Sequence, residues 1–151
     1  MNTHATIRLE HVTKRFALGP DGGFTAVEDV SLEVLAGEFV SVVDPSGCGK
    51  STVLGVVSGL LPPSAGRILV EGEEMSGINQ RLGYLFQRDA LFPWKTILDN
   101  VAVPLLFRGW NARTARARAH EWIQRVGLAG FEGYHPHRLS GGMRKRVSLA
   151  T

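Results

Sequence analysis

Cysteine is nearly absent from this sequence. Cys48 stands alone among 151 residues, which excludes an intrachain disulfide and fits a reducing compartment. No apolar run approaches the roughly 18 residues that a membrane-crossing helix needs. The opening residues, Met1-Asn2-Thr3-His4-Ala5-Thr6, lack the basic-then-apolar pattern of a secretory signal. These absences predict a cytoplasmic chain that meets a membrane only through a partner. Internal repeats, low-complexity tracts and a dividing linker are missing too, so no division into independent domains is expected. The net charge is only +3, and the basic residues are scattered apart from Arg108, Arg113, Arg116, Arg118 and the run Arg144-Lys145-Arg146. No aromatic residues interleave with them. They read as solvated helical faces, and no nucleic-acid partner is expected.

The composition, 44% hydrophobic and 21% charged, suits a globular domain with a real core. One stretch organises it: Asp44-Pro45-Ser46-Gly47-Cys48-Gly49-Lys50-Ser51-Thr52. The apolar run Phe39-Val40-Ser41-Val42-Val43 leads in and is expected to be a strand. A helix is expected to lead out, from about Lys50 to Ser58. Strand, glycine-rich turn and helix make the setting of a phosphate-binding loop. Gly47 and Gly49 let the backbone curl and turn its N–H groups inward. The helix start adds unpaired N–H groups and a positive dipole end. Lys50 brings a full charge to the outer phosphates, and the Ser51 hydroxyl is placed to ligate Mg²⁺. The loop departs from the motif at its first position, where glycine is expected and Asp44 stands. Cys48, beside a helix start, has a setting that can make a thiol reactive, but nothing argues for nucleophilic catalysis.

Before this stretch, Ile7 to Thr13 alternates apolar and polar, with a slip between Leu9 and Val12, and reads as a strand ended by Lys14-Arg15-Phe16. Thr25 to Val27 and Val30 to Val34 read as further strands, and Ala36-Gly37-Glu38 as a turn. After it, Gly59 and Pro62-Pro63 stop the first helix. Arg67 to Val70 and Leu82 to Phe86 read as strands, the latter buried, with Glu73 to Gln80 connecting them. Pro93 excludes regular helix past Leu91. Thr96 is a plausible cap for a helix from Ile97 to Ala102, which Pro104 bends or ends. Asn111 caps a helix from Ala112 to Val126, whose apolar face is Ala115, Ala119, Trp122, Ile123 and Val126, and Gly127 ends it. His135 and His137 flank a proline and read as loop residues. Trp110 and Trp122 read as packing residues. Antiparallel strands feeding a buried strand and a phosphate loop predict an α/β core carrying a β subdomain.

The last motif is Leu139-Ser140-Gly141-Gly142-Met143, a serine-capped helix start with two glycines and a second anion-ready N-terminus. At this order and separation the two motifs resemble the ATP-binding subunits of ABC transporters. Leu139 to Met143 is similar to the family signature, with Met where Gln is commonest, and Arg144-Lys145-Arg146-Val147 to the basic run after it. Gln87 falls where the family has its Q-loop glutamine, and Phe16 where it has an adenine-stacking aromatic. Gln87 to Val101, with the Met-type signature, is most like the nitrate, sulfonate and taurine importer branch. The resemblance covers essentially the whole chain.

The resemblance implies an α/β phosphate-loop NTPase of the ABC type. Its β subdomain and loop core would occupy about 1–87, and its Q-loop and helical subdomain about 88–151. It implies ATP and Mg²⁺ as cofactors, with Phe16, Pro45 to Thr52 and Gln87 at the nucleotide and Ser51 with Gln87 at the metal. It implies a homodimer in which Ser140, Gly141 and Gly142 touch the γ-phosphate held by the partner. The segment Arg88 to Lys95 would dock membrane-spanning permease subunits, with a periplasmic solute-binding protein engaged indirectly. Core packing remains the other reading of Phe92 and Trp94. The chain would sit on the inner face of the cell membrane, driving import of a small anion such as a sulfonate, taurine or nitrate. The Walker B aspartate, the catalytic glutamate and the switch histidine have no counterpart among these residues, so no catalytic residue can be named. The alternative is a truncated, non-catalytic or non-functional fragment that at most binds nucleotide or a partner subunit, which Asp44 and the end at Thr151 favour. A chain lacking the rest of the core sheet is expected to be poorly soluble by itself.

Overall fold

The computed structural model describes residues 5–18, 22–43 and 49–151. The phosphate-loop residues Asp44, Pro45, Ser46, Gly47 and Cys48 lie outside the described residues. The chain divides into two compact units, Met1–Tyr84 and Leu85–Thr151.

The first unit is built on a four-stranded antiparallel sheet in the order β2-β1-β3-β4, from β1 (Ala5–Ala17), β2 (Gly23–Leu35), β3 (Ala65–Val70) and β4 (Glu73–Glu74). β1 does not end at Lys14-Arg15-Phe16; it runs on to Ala17 and pairs Phe16 with Phe24. The two strands expected between Thr25 and Val34 are one strand interrupted by bulges. Two bulge residues, His11 and Asp29, sit in the left-handed region at φ 51° and 48°. That conformation costs a non-glycine residue about 1–3 kcal/mol. Local bonds offset it: His11 Nδ1 meets Asp29 Oδ1 at 2.7 Å, His11 N–H donates to Ser31 Oγ, and Asp29 N–H donates to Thr13 Oγ1. The slip between Leu9 and Val12 and the gap before Val30 are the sequence traces of these bulges. Across the ladder, Arg8 pairs with Glu33 at 2.7 Å and Arg67 with Glu10 at 2.6 Å. The segment Glu73 to Gln80 is not wholly a connection, because β4 closes a short hairpin with β3.

Helix α1 (Lys50–Val57) lays Val56 on this sheet, where it is buried with Leu9, Val12 and Ile68. Each such side chain contributes about 1.5–3 kcal/mol on burial. The expected strands at Phe39–Val43 and Leu82–Phe86 are both irregular backbone, with Phe39 91% exposed and Leu85 and Phe86 about half exposed. Apolar content alone does not make a strand. A core strand needs hydrogen-bonded neighbours, and among the described residues no strand lies beside either segment.

The second unit packs α2 (Ile97–Phe107), α3 (Ala112–Arg125) and α4 (Gly141–Ala150) around Ile97, Val101, Ala115, Ala119, Ile123 and Val147. Thr96 caps α2 by accepting from the Asp99 N–H, and Asn111 caps α3 by accepting from the Thr114 N–H. Pro104 neither ends α2 nor stops it early, since the helix continues to Phe107. In α3 the small residues Ala115 and Ala119 line up with Ile123 at four-residue spacing and are fully buried. Trp122 does not join that face. It lies on the surface between the guanidinium groups of Arg118 and Arg125, whose carbons stand 5.4 and 4.8 Å from its ring centre. Its width and the two cations exclude it from a seam lined by alanines.

Candidate nucleotide site

The start of α1 is fixed by Gly49. Its φ of 96° is a left-handed conformation, and a Cβ there would lie 2.3 Å from the Ala26 carbonyl oxygen. Only glycine fits. Ala26 falls where the β1–β2 register shifts between Lys14 and Arg15, and this irregularity carries its carbonyl against the loop. Lys50, Ser51 and Thr52 form the first turn of α1, which has no side-chain cap and no acidic residue. The helix start is thus left electropositive, with backbone donors for an anion. By contrast α2 carries Asp99 in its first turn and neutralises its own dipole. A cleft of about 490 Å³ opens beside α1 between Val30, Leu32, Val42, Gly49, Lys50 and Val53. Another hollow, about 420 Å³, lies over Thr6, Arg8, Leu69 and Glu71 and touches none of the expected nucleotide residues.

Phe16 stacks on Phe24 across the hairpin, with ring centres 6.1 Å apart and planes 15° apart. Lys14 Nζ stands 5.3 Å from the Phe16 ring centre. Phe24 is two residues from Ala26 on β2, about 7 Å along a strand. The aromatic pair therefore shares a short stretch of strand with the residue that seats Gly49. Phe24 is not visible as a candidate in the sequence, because its importance comes only from the register that sets it against Phe16.

The remaining expected residues lie on the second unit. Gln87 is exposed on irregular backbone. Ser140 caps α4, its Oγ accepting from the Met143 N–H at 3.3 Å. Leu139 before it is buried among the helices and anchors the motif. Gly141 and Gly142 are exposed, and neither has a left-handed φ. A Cβ on Gly142 would meet nothing within 4 Å, and one on Gly141 would meet only the tip of Arg144 at 3.8 Å. Nothing in this unit's own packing requires glycine at either position.

The run Arg144-Lys145-Arg146 is not a solvated face. Arg144 donates to Asp89 Oδ2 at 2.9 Å and to the Leu139 carbonyl at 2.7 Å. Lys145 donates to the carbonyls of Phe86 and Gln87. Arg146 donates to the carbonyls of Val126 and Gly127, satisfying the C-terminal end of α3. A cationic run on a helix surface is indistinguishable in sequence from a solvated one when most of its acceptors lie twenty or more residues away.

The segment Arg88 to Lys95 presents Trp94, 72% exposed, with Phe92 beside it at a ring-centre distance of 5.5 Å. Neither aromatic is buried in a core. The turn that carries them is held from within α2 by Asn100, whose Nδ2 donates to the carbonyls of Lys95 and Thr96.

Comparison with known proteins places this arrangement. The family model described as "ABC transporter" matches residues 27–151. The spermidine/putrescine import ATP-binding protein PotA of Nitrosospira multiformis is 42% identical over 149 residues, covering 97% of this chain and 40% of that protein. The taurine import ATP-binding protein TauB of Burkholderia pseudomallei is 44% identical over 129 residues, covering 85% of this chain and 50% of that protein. The chain thus spans about half the length of the curated relatives it matches or less. Among solved structures, a dimeric post-hydrolysis state of the ATP-binding cassette MJ0796 bound to ADP and Pi superposes with a TM-score of 0.85 at 32% identity, covering 95% of this chain and 67% of that one. The fold is therefore the α/β phosphate-loop fold of ABC ATPases, with its antiparallel sheet and its helical part both present. An uncapped helix start that only glycine at position 49 permits, the Ser140 signature and a family match over most of the chain converge: this chain belongs to the ABC transporter family, as part of its ATP-binding cassette.

Proposed function

We propose that the chain is the nucleotide-binding part of an ABC importer subunit, coupling ATP binding and hydrolysis to solute uptake. The observation that carries this reading is the start of α4. It is a capped, exposed helix N-terminus with two glycines that this unit's own packing does not need. Missing side chains there suit the close approach of a ligand from outside. A second copy of the chain, holding ATP at its own α1, would bring that ligand. The solved cassette it resembles is described as dimeric and bound to ADP and Pi, which supports this assembly.

Within each copy, Pro45 to Thr52 would surround the phosphates, Lys50 would face the outer ones, and Phe16 with Phe24 would offer a stacking platform. Ser51 and Gln87 supply a hydroxyl and an amide oxygen, the hard donors that Mg²⁺ takes. Held there, Mg²⁺ would offset the charge of the phosphates. The exposed pair Phe92 and Trp94, on Arg88 to Lys95, would meet membrane-spanning subunits at the inner face of the membrane. A periplasmic solute-binding protein would act upstream of those subunits.

The proposed solute is a small anion of the sulfonate, taurine or nitrate kind. The run Gln87 to Val101 and the taurine import relatives support it. Uptake of labelled taurine, nitrate and spermidine, measured in cells with and without the gene, tests it. Uptake of the polyamine alone would overturn the anion. The nucleotide reading is tested by calorimetric titration with MgATP. The wild type is expected to bind, and Lys50→Ala to bind at least tenfold more weakly, as expected for loss of a charged phosphate contact. Equal affinity of the two would sink it.

A further inference from the structure

Gln87 lies on backbone that belongs to no helix or strand, yet an amide that is to meet Mg²⁺, as proposed above, must be held in place. Two side chains of α4 provide bonds that do so. Lys145 Nζ donates to the Phe86 carbonyl at 2.5 Å and to the Gln87 carbonyl at 2.8 Å. Arg144 Nε donates to Asp89 Oδ2 at 2.9 Å, two residues further on. The same guanidinium donates through its other arm to the carbonyl of Leu139, the residue before the Ser140 cap. Residues 86–89 are thereby tied to the first turns of the helix that Ser140 caps. All these groups lie in the second unit.

We propose that Lys145 is a positioning residue for Gln87. Its ammonium gathers two consecutive carbonyls and so fixes the peptide from which the Gln87 side chain projects. Arg144 and Asp89 form the second point of the same clamp. Loss of a group that orients a metal ligand typically lowers metal affinity tenfold to a hundredfold. This inference rests on the nucleotide reading above.

The test compares wild type, Lys145→Met, Lys145→Arg and Gln87→Ala in the natural full-length subunit. MgATP affinity is measured at saturating Mg²⁺, the Mg²⁺ concentration for half-maximal turnover is measured at saturating ATP, and amide hydrogen exchange is followed at 85–91 and 143–150. Lys145→Met is expected to raise the Mg²⁺ requirement about tenfold, as Gln87→Ala does, with ATP affinity changed less than twofold. Exchange should speed up about tenfold at 86–89 and stay unchanged in α4. Lys145→Arg, which keeps a cation able to reach both carbonyls, should recover most of both effects. Wild-type exchange at 86–89 in Lys145→Met, or an unchanged Mg²⁺ requirement, would overturn the proposal. A wild type that binds no MgATP would instead sink the nucleotide reading, and the exchange comparison would still decide whether Lys145 holds the segment.

Discussion

Phe92 gives both of its main-chain polar groups to a single side chain. Its N–H donates to Asn100 Oδ1 at 2.7 Å, and its carbonyl accepts from Asn100 Nδ2 at 3.1 Å. Asn100 is 3% exposed, so this amide stands in for solvent beneath the turn that displays Trp94. Asn100→Ala is expected to cost about 2–3 kcal/mol, because it strands a buried donor and several carbonyls. The check is a urea midpoint that falls with an unchanged slope. Asn100→Asp should be no milder, since a carboxylate oxygen would then face the carbonyls of Phe92, Lys95 and Thr96.

Gly49 and Gly142 make opposite predictions. Gly49→Ala puts a methyl group 2.3 Å from the Ala26 oxygen at a φ of 96°, and is expected to destabilise the first unit by about 2 kcal/mol or more. Gly142→Ala meets open space and improves helix propensity by up to about 1 kcal/mol. Its melting temperature should stay level or rise, while ATP-driven pairing of two copies, read by light scattering, is lost. Pairing at wild-type strength in Gly142→Ala would show that nothing docks on that face.

Asp99 sets an acid limit on the helical unit. Burial pushes its carboxyl up, but the hydrogen bonds from Arg116 and Thr96, with the charges of Arg116 and Lys95, outweigh this and leave it below the ordinary value. A lowered folded-state value means that the ionised form stabilises the fold above the ordinary carboxylate range, near 3.9. That contribution fades as pH falls through the lowered value. Wild type should therefore melt above Asp99→Asn at neutral pH, and the gap should close below about pH 4. A gap independent of pH would refute the assignment.

Asp44 places a carboxylate where the phosphate-loop motif has glycine. At about 5 Å from a phosphate, the repulsion is about 3 kcal/mol per charge at an effective dielectric near 20, or a hundredfold in affinity. Asp44→Gly is expected to tighten ATP binding toward that limit, and more so at low salt. Equal, tight binding by both forms would show that the carboxylate stands clear of the nucleotide.

Helix caps were the most legible features in the sequence. Thr96, Asn111 and Ser140 each accept the backbone N–H three residues on, as their positions before apolar periodic runs suggested. A cap is a local interaction, settled within four residues. What escaped the sequence depends on distant pairing. Phe39 to Val43 and Leu82 to Phe86 have strand composition but no strand partner among the described residues. Phe24 matters only through its register with Phe16, and the ties of Arg144 to Asp89 and of Lys145 to Phe86 and Gln87 span more than fifty residues. Trp122 fits a helical apolar period, yet its bulk does not fit a face of alanines.

The paired left-handed residues of the hairpin have a consequence for how it closes. A regular two-stranded ribbon can slide by two residues and keep its inside face inside. Here a slide would set His11 and Asp29, both at positive φ, against regular partners, and would part them from Ser31 and Thr13. The hairpin behaves as a notched key with one seating. Phe16 can then meet only Phe24, and the alignment of the aromatic shelf is decided by strain five residues away along each strand.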